Sequence, residues 1–200
     1  MQDFRHPPQL RFKSYTASDD QVEMTNIRPI TLTELLESRD ARRDLQLRLL
    51  ADNPGHTLAV GTVIVPGNIK RNDDSLIIAQ AMIKAIEMSD AMLTPCIVRD
   101  LPTGFEAYYT SPLSPDKVKT ITSEIENTHP LGRMMDIDIF TTDGTQVSRT
   151  GQGDAPRRCL LCGKDARICM RAFSHTQEEL LAEIHRRVKL WLRDESWDTP

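Results

Sequence analysis

The sequence predicts an α+β fold: a β-α-β-β-α-β run forming a mixed sheet, followed by a cysteine-rich segment and a C-terminal helix. Three observations carry that expectation. Thr57 to Val65 is a β-branched, mostly apolar run that stops at Pro66-Gly67. Met134 to Phe140 alternates two acids with two isoleucines, the period of a strand with one buried face. Segments around these runs space their apolar residues as helices do and open on capping residues.

Length and composition set the outer bounds. A chain of 200 residues can bury one sizeable core, with 39% hydrophobic residues and a formal net charge of -4. No overall basic field exists, so a nucleic-acid partner is not expected. No apolar run is long enough to span a bilayer, and Met1 to Asp20 shows no secretory h-region, so no membrane role is expected. Four cysteines without an export signal point to reducing cytosol, hence a cytoplasmic location without disulfides. Residues 1–26 are polar and irregular and read as a flexible N-terminal arm. Residues 27–200 read as a single domain, with a sheet-and-helix core over 27–150 and the Cys-rich segment and helix over 151–200.

The elements follow in order. Residues 31–50 form a helix capped by Thr31 or Thr33, with Leu32, Leu35, Leu36, Leu45 and Leu49 as a broken apolar stripe. The charges of Ser38 to Arg43 interrupt it and read as a solvated face. After the strand Thr57 to Val65, Asp73 or Asp74 caps a helix to about Met88 with Leu76, Ile77, Ile83 and Ile86 inward. Pro95 to Arg99 and Phe105 to Thr110 are strands joined through Pro102-Thr103-Gly104. Ser114-Pro115-Asp116 starts a helix with Val118, Ile121 and Ile125 on one face, ending at His129-Pro130. The acidic strand follows, then an Asp143-Gly144 turn and a returning strand over Thr145 to Arg149. Ser174 with Gln177 caps a last helix to about Trp191, with Leu180, Leu181, Ile184, Val188 and Leu192 on its apolar side. This order suits a ferredoxin-like, palm-type unit or a nucleotidyltransferase-like sheet, and periodicity does not separate the two.

The acidic strand is the candidate for chemistry. Asp136 and Asp138, at i and i+2, point to one side while Ile137 and Ile139 point to the core. Mg2+ suits two such carboxylates, since it takes hard oxygens from one or two acids and from substrate phosphates. The competing reading is an edge strand with a solvated acidic face. The Gly132-Arg133 turn precedes the strand, and Arg133 can grip a phosphate oxygen with its planar fork. Lys70, in the Pro66-Gly67-Asn68-Ile69-Lys70 turn between strand end and helix start, is a second phosphate candidate, or an exposed loop lysine. Arg149, Arg157 and Arg158 add positive charge for a polyphosphate.

Cys159, Cys162, Cys169 and His175 supply three thiolates and an imidazole, the ligand set of a structural Zn2+ site. The alternative is packing, with Cys169 a small buried hydrophobe on a helix and His175 a first-turn residue.

Together these stretches resemble a known family, citrate lyase holo-acyl-carrier-protein synthase, also called apo-citrate lyase phosphoribosyl-dephospho-CoA transferase. The resemblance rests on Glu34 to Asp40, Val65 to Lys70, His129 to Arg133 with Asp136-Ile137-Asp138, and Pro156 to Cys162 with Cys169, Arg171 and His175. It spans about residues 31–185. One departure is Asn68, which stands where the family's turn carries a second proline. The resemblance implies transfer of a phosphoribosyl-dephospho-CoA group from 2'-(5''-triphosphoribosyl)-3'-dephospho-CoA to a serine of the citrate lyase acyl carrier protein (gamma subunit), with release of pyrophosphate. In that reading Asp136, Asp138 and Arg133 are catalytic, and Pro66, Gly67, Lys70, Gly132, Arg149, Arg157 and Arg158 bind substrate. The enzyme would be a metal-dependent, nucleotidyltransferase-type transferase. Two alternatives are a zinc-stabilised, non-catalytic module for citrate lyase assembly and a nucleotidyltransferase with another acceptor.

Overall fold

Thr31 begins the first helix, α1 (Leu32–Asp52), with a capping box. Its hydroxyl accepts from the Glu34 amide at 3.2 Å, and the Glu34 carboxylate accepts from the Thr31 amide at 2.8 Å. The computed structural model describes residues 27–147 and 157–193. The expected arm over 1–26 and the side chain of Arg149 therefore lie outside the described residues.

Only the C-terminal half of α1 lies on the sheet. Leu45, Leu49 and Leu50 are buried, whereas Leu32 and Leu36, expected on the same stripe, are 70% and 48% exposed. β1 (Thr57–Val63) ends two residues before the expected Val65, although the Ile64 amide still donates to the Met134 carbonyl at 2.8 Å. α2 (Asp73–Glu87) is capped by Asn72 with Ser75, not by Asp73 or Asp74. Its buried face is Ser75, Ile78, Ala79, Ala81, Met82 and Ile86, rotated from the expected one. The rotation follows from close approach: a Cβ on Gly61 of β1 would sit 2.9 Å from Met82 Cε, so helix and strand meet where small residues allow.

β2 (Thr94–Leu101) and β3 (Gly104–Ser111) form the expected hairpin. α3 (Pro115–Thr128) departs from its apolar reading. Val118 is buried as expected, but the other buried residues are Lys119, Thr122, Ser123 and Glu126, while Ile121 and Ile125 are half-buried. The reason lies in the strand beside it. After a 3-10 turn over Gly132–Met134, β4 (Met135–Phe140) is an edge strand whose outer backbone groups need partners. Lys119 Nζ donates to the Ile137 carbonyl at 2.9 Å, and the Ile137 amide donates to Glu126 Oε1 at 2.6 Å.

The sheet order is β2-β3-β1-β4, and each of these pairings is antiparallel, where a mixed sheet was expected. This order and direction are those of the split βαβ, ferredoxin-like unit. α2, α3 and the C-terminal helix α5 (Gln177–Arg193) cover one face through Ile78, Met82, Val118, Ile184 and Val188. α1 covers part of the other, over Leu58, Val60, Tyr108 and Phe140. Of the expected returning strand, a bridge joins Gln146 to Phe140 and the Val147 amide donates to Ile139; residues 148–149 lie outside the described residues. A short helix, α4 (Ala166–Arg171), carries Cys169, and α5 is capped by Thr176 with Glu179 rather than by Ser174 with Gln177. Leu192, expected on the apolar side of α5, is 56% exposed.

Candidate active site and cysteine cluster

Strand register lays side chains in rows. Asp136 lies opposite Thr62, which lies opposite Glu106, which lies opposite Arg99. Asp138 begins the next row, with Val60, Tyr108 and Ile97. Val60 and Tyr108 pack under α1, so both acids occupy the α1 face, while Ile137 and Ile139 are fully buried in the opposite core.

Arg157 organises the acid pair. Its Nη2 donates to Asp136 Oδ1 at 2.6 Å and to Glu126 Oε1 at 2.9 Å, clamping the edge strand to α3. Gln146 Nε2 donates to Asp138 Oδ1 at 2.7 Å. Burial, and then the negative charge of Asp136, push the Asp138 carboxyl above the ordinary aspartate range, against the pull of Lys119, Gln146 and Arg157. The Asp136 side chain is 36% exposed, so the pair is open to solution on one side.

Arg133 stands beside this pair rather than on it. Its Nη2 donates to the Arg158 carbonyl, and its buried Nε has no protein partner among the described residues. Burial, then the charges of Arg157 and Arg187, lower its proton affinity, with Cys159 opposing. Three guanidinium groups therefore meet where the acid pair joins the cysteine segment. Arg158 turns away: its side chain is exposed and its Nη1 reaches the Gly163 carbonyl at 3.5 Å.

The Pro66 to Lys70 turn leaves the end of the sheet that carries the Asp136 row. Gly67 has φ +81°, a conformation that favours glycine, and the Gln177 side chain lies against it. Lys70 Nζ donates to the Val65 carbonyl at 2.7 Å; burial, and then the neighbouring Arg39 of α1, lower its proton affinity. Gly132 has a steric reason for its place. A Cβ there would lie 2.5 Å from the Glu126 carbonyl oxygen.

Several polar groups escape a reading by sequence. Glu106 is fully buried, taking bonds from Arg42 Nε at 2.9 Å, Arg99 Nη1 at 3.3 Å and the Tyr108 hydroxyl at 2.6 Å. Arg42 belongs to the charged run expected to be a solvated face, which the buried carboxylate corrects. Lys119 and Glu126 stand two helical turns apart, and that spacing beside Val118 and Thr122 was their only signal. Arg187, bonded to Glu183 and to the Leu160 carbonyl, had none.

The cysteine segment converges. Ligand atoms of Cys159, Cys162, Cys169 and His175 all lie within 4.8 Å of one another. Gly163, at φ +70°, closes the turn by donating its amide to the Cys159 carbonyl. The Lys164 amide, then His175 and Cys169, bring the Cys162 thiol down to about 6, while its bond with Cys162, then burial, push Cys169 up to about 11. His175 Nε2 is buried without a protein partner among the described residues. Three converging cysteine sulfurs beside an orphaned imidazole nitrogen are compatible with zinc.

Fold and site define an α+β protein with an acid pair on an edge strand and a Cys3His cluster tied to it through Arg157. A family model described as apo-citrate lyase phosphoribosyl-dephospho-CoA transferase (CitX) matches residues 30–191, and the chain belongs to this family. A probable apo-citrate lyase phosphoribosyl-dephospho-CoA transferase of Streptococcus pyogenes serotype M3 is 34% identical over 162 residues, 78% of this chain and 84% of that one. Its counterpart in Vibrio cholerae serotype O1 is 38% identical over 128 residues, 62% of this chain and 72% of that one. Protein CitXG of Haemophilus influenzae is 35% identical over 162 residues, 78% of this chain; the match covers 34% of that longer protein. Among the described residues no helix is long and apolar enough to cross a membrane.

Proposed function

We propose that this chain transfers the phosphoribosyl-dephospho-CoA group from 2'-(5''-triphosphoribosyl)-3'-dephospho-CoA to a serine of the citrate lyase acyl carrier protein. The supporting observation is the Arg157 clamp on Asp136, with Asp138 beside it, in a chain of this family. The serine oxygen forms a bond to the 5''-phosphorus, the bond to the departing pyrophosphate breaks, and the hydroxyl proton is released. Asp136 and Asp138 hold Mg2+, for which two hard carboxylates on an accessible face are a suitable ligand set. Bound there, the ion supplies neutralisation of the triphosphate and of the leaving group. Arg133 and Arg157 orient phosphate oxygens, since phosphoryl transfer rests mostly on placement and electrostatics. Lys70, Pro66, Gly67 and Gly132 shape the donor side, with the lysine beside Arg39 on the helix that covers the acidic face. Arg149 is a further cation for the donor's phosphates by its place in the sequence, whereas Arg158, turned toward the Gly163 carbonyl, stands outside this set. Cys159, Cys162, Cys169 and His175 hold a structural Zn2+ that keeps Arg157 in register with Asp136. The reaction belongs to the cytoplasm, where reduced thiols persist.

Pyrophosphate release is the direct assay. It is expected only when donor, apo acyl carrier protein and Mg2+ are all present, and to stop when EDTA is added. Release at the same rate without carrier would contradict the acceptor, and release undiminished by EDTA would contradict the metal.

A further inference from the structure

The cysteine cluster carries an outer surface that the chemistry above does not use. α4 turns a single residue fully inward, Cys169; Arg167, Ile168, Met170 and Arg171 all face solvent. Ile168 is 61% exposed and Met170 69%, an unusual concentration for a helix of six residues. Phe173 follows at φ +47°, with its ring 89% exposed. The Ser174 amide donates to the Cys169 carbonyl at 3.0 Å, so Phe173 occupies the left-handed position where helices usually place glycine. A bulky side chain is strained there, and among the described residues its 89% exposure leaves no packing to offset the strain.

Charge completes the pattern. Lys164, Arg167 and Arg171 surround the apolar residues, all exposed, on a chain whose formal net charge is -4. The acid among them, Asp165, caps α4 and reaches Arg167 at 3.4 Å. The patch therefore suits a partner with an acidic rim around apolar side chains. Its position is set by the cluster. On the inner side of α4 the Cys169 sulfur lies within 4.8 Å of those of Cys159 and Cys162, and Arg157, two residues before Cys159, holds Asp136.

We infer that Ile168, Met170 and Phe173, ringed by Lys164, Arg167 and Arg171, form the docking surface for an acidic face of the acceptor carrier protein. The inference rests on the reaction proposed above and adds the surface that presents the acceptor. Exposed aromatic and arginine side chains are the usual anchors of such contacts. The acidic partner would be steered by the local basic field, against the sign of the chain as a whole.

The test uses the full chain and purified apo acyl carrier protein. Binding is measured by calorimetric titration without donor, and KM for carrier and for donor by pyrophosphate release. Phe173→Glu and Arg171→Glu should each raise the carrier Kd and KM at least about tenfold while changing the donor KM less than about twofold. Both side chains are exposed, so melting temperature and cluster cysteine reactivity should stay at wild-type values; Phe173→Ala provides a milder variant should the charged one fail to fold. Carrier binding unchanged in folded variants would overturn the docking surface while leaving the reaction standing. Wild-type protein that neither binds nor modifies carrier would overturn both. Variants that abolish self-association, or adsorption to anionic vesicles, with carrier binding intact would assign the patch to those contacts and overturn the inference.

Discussion

Arg157 is the residue on which the site turns, because one guanidinium touches an acid from the edge strand and an acid from α3. Replacing Asp136 or Asp138 by Asn preserves shape but removes one of the two charges proposed to hold Mg2+. Turnover is expected to fall at least about a hundredfold, a few kcal/mol of lost transition-state stabilisation. Near-wild-type turnover of either variant at saturating Mg2+ would contradict that role. Gly132 makes a different claim. Alanine there must push aside the carbonyls of Ile125 and Glu126, 2.7 and 2.5 Å from its Cβ. The expected cost is about 1–3 kcal/mol of stability, read in a denaturant melt, as for other overpacked sites. The pairing of Asp136 with Asp138 was legible because strand alternation leaves no choice of face. Glu126 and Lys119 were not, because charged residues on a helix read as solvated unless the neighbouring strand edge is known.

At the scale of elements, three attachments hold the site in place. The apolar seat of α1 on the sheet is Leu45, Leu49 and Leu50, in its C-terminal half. Leu49→Ala should cost about 2–5 kcal/mol, the usual loss for a buried leucine, while Leu32→Ala, on the free half, should cost little. An equal effect of the two would contradict the half-seated helix. The cysteine cluster fastens α4 to the segment that carries Arg157. Protein purified without a His-tag should contain one zinc per chain, and stripping it should lower the melting temperature. Metal-free protein with an unchanged melt would leave the four residues as packing. α5 is tied in by Arg187, which donates to the Leu160 carbonyl at 3.1 Å and is braced within the helix by Glu183, whose carboxyl is held down at about 2 by its bond with Arg186, helped by Arg187. A depressed carboxyl stabilises the fold above its unfolded value and ceases to do so as pH falls toward about 2. The stability gap between wild type and Glu183→Gln should therefore be full at pH 7 and close below pH 4; a gap independent of pH would contradict this. α1, α2, α3 and α5 were legible from their periods, although α2 and α5 took other caps than expected, and α4, six residues long, carried no period to read. Their facing residues were less so, since small residues such as Gly61 and Ala79, invisible to a hydrophobic pattern, decide where α2 meets the sheet.

The whole molecule combines a split βαβ sheet with one extra helix in front and a metal-type cluster behind. The element order was readable because strands and helices alternate with clear turn signals. The antiparallel direction of every described pairing was not, because it depends on which strands become neighbours. This arrangement leaves the α1 face only partly covered, and the acids lie at its edge, next to Arg157, which the cysteine segment delivers. Donor and acceptor would thus meet at one margin of the sheet. The measurement that tests this account most directly is the intact mass of apo acyl carrier protein after incubation with the chain, Mg2+ and the triphosphoribosyl donor. The account predicts a gain of one phosphoribosyl-dephospho-CoA group per carrier with wild-type protein and almost none with Asp136→Asn. A carrier mass that never rises, or one that rises equally with Asp136→Asn, would contradict it.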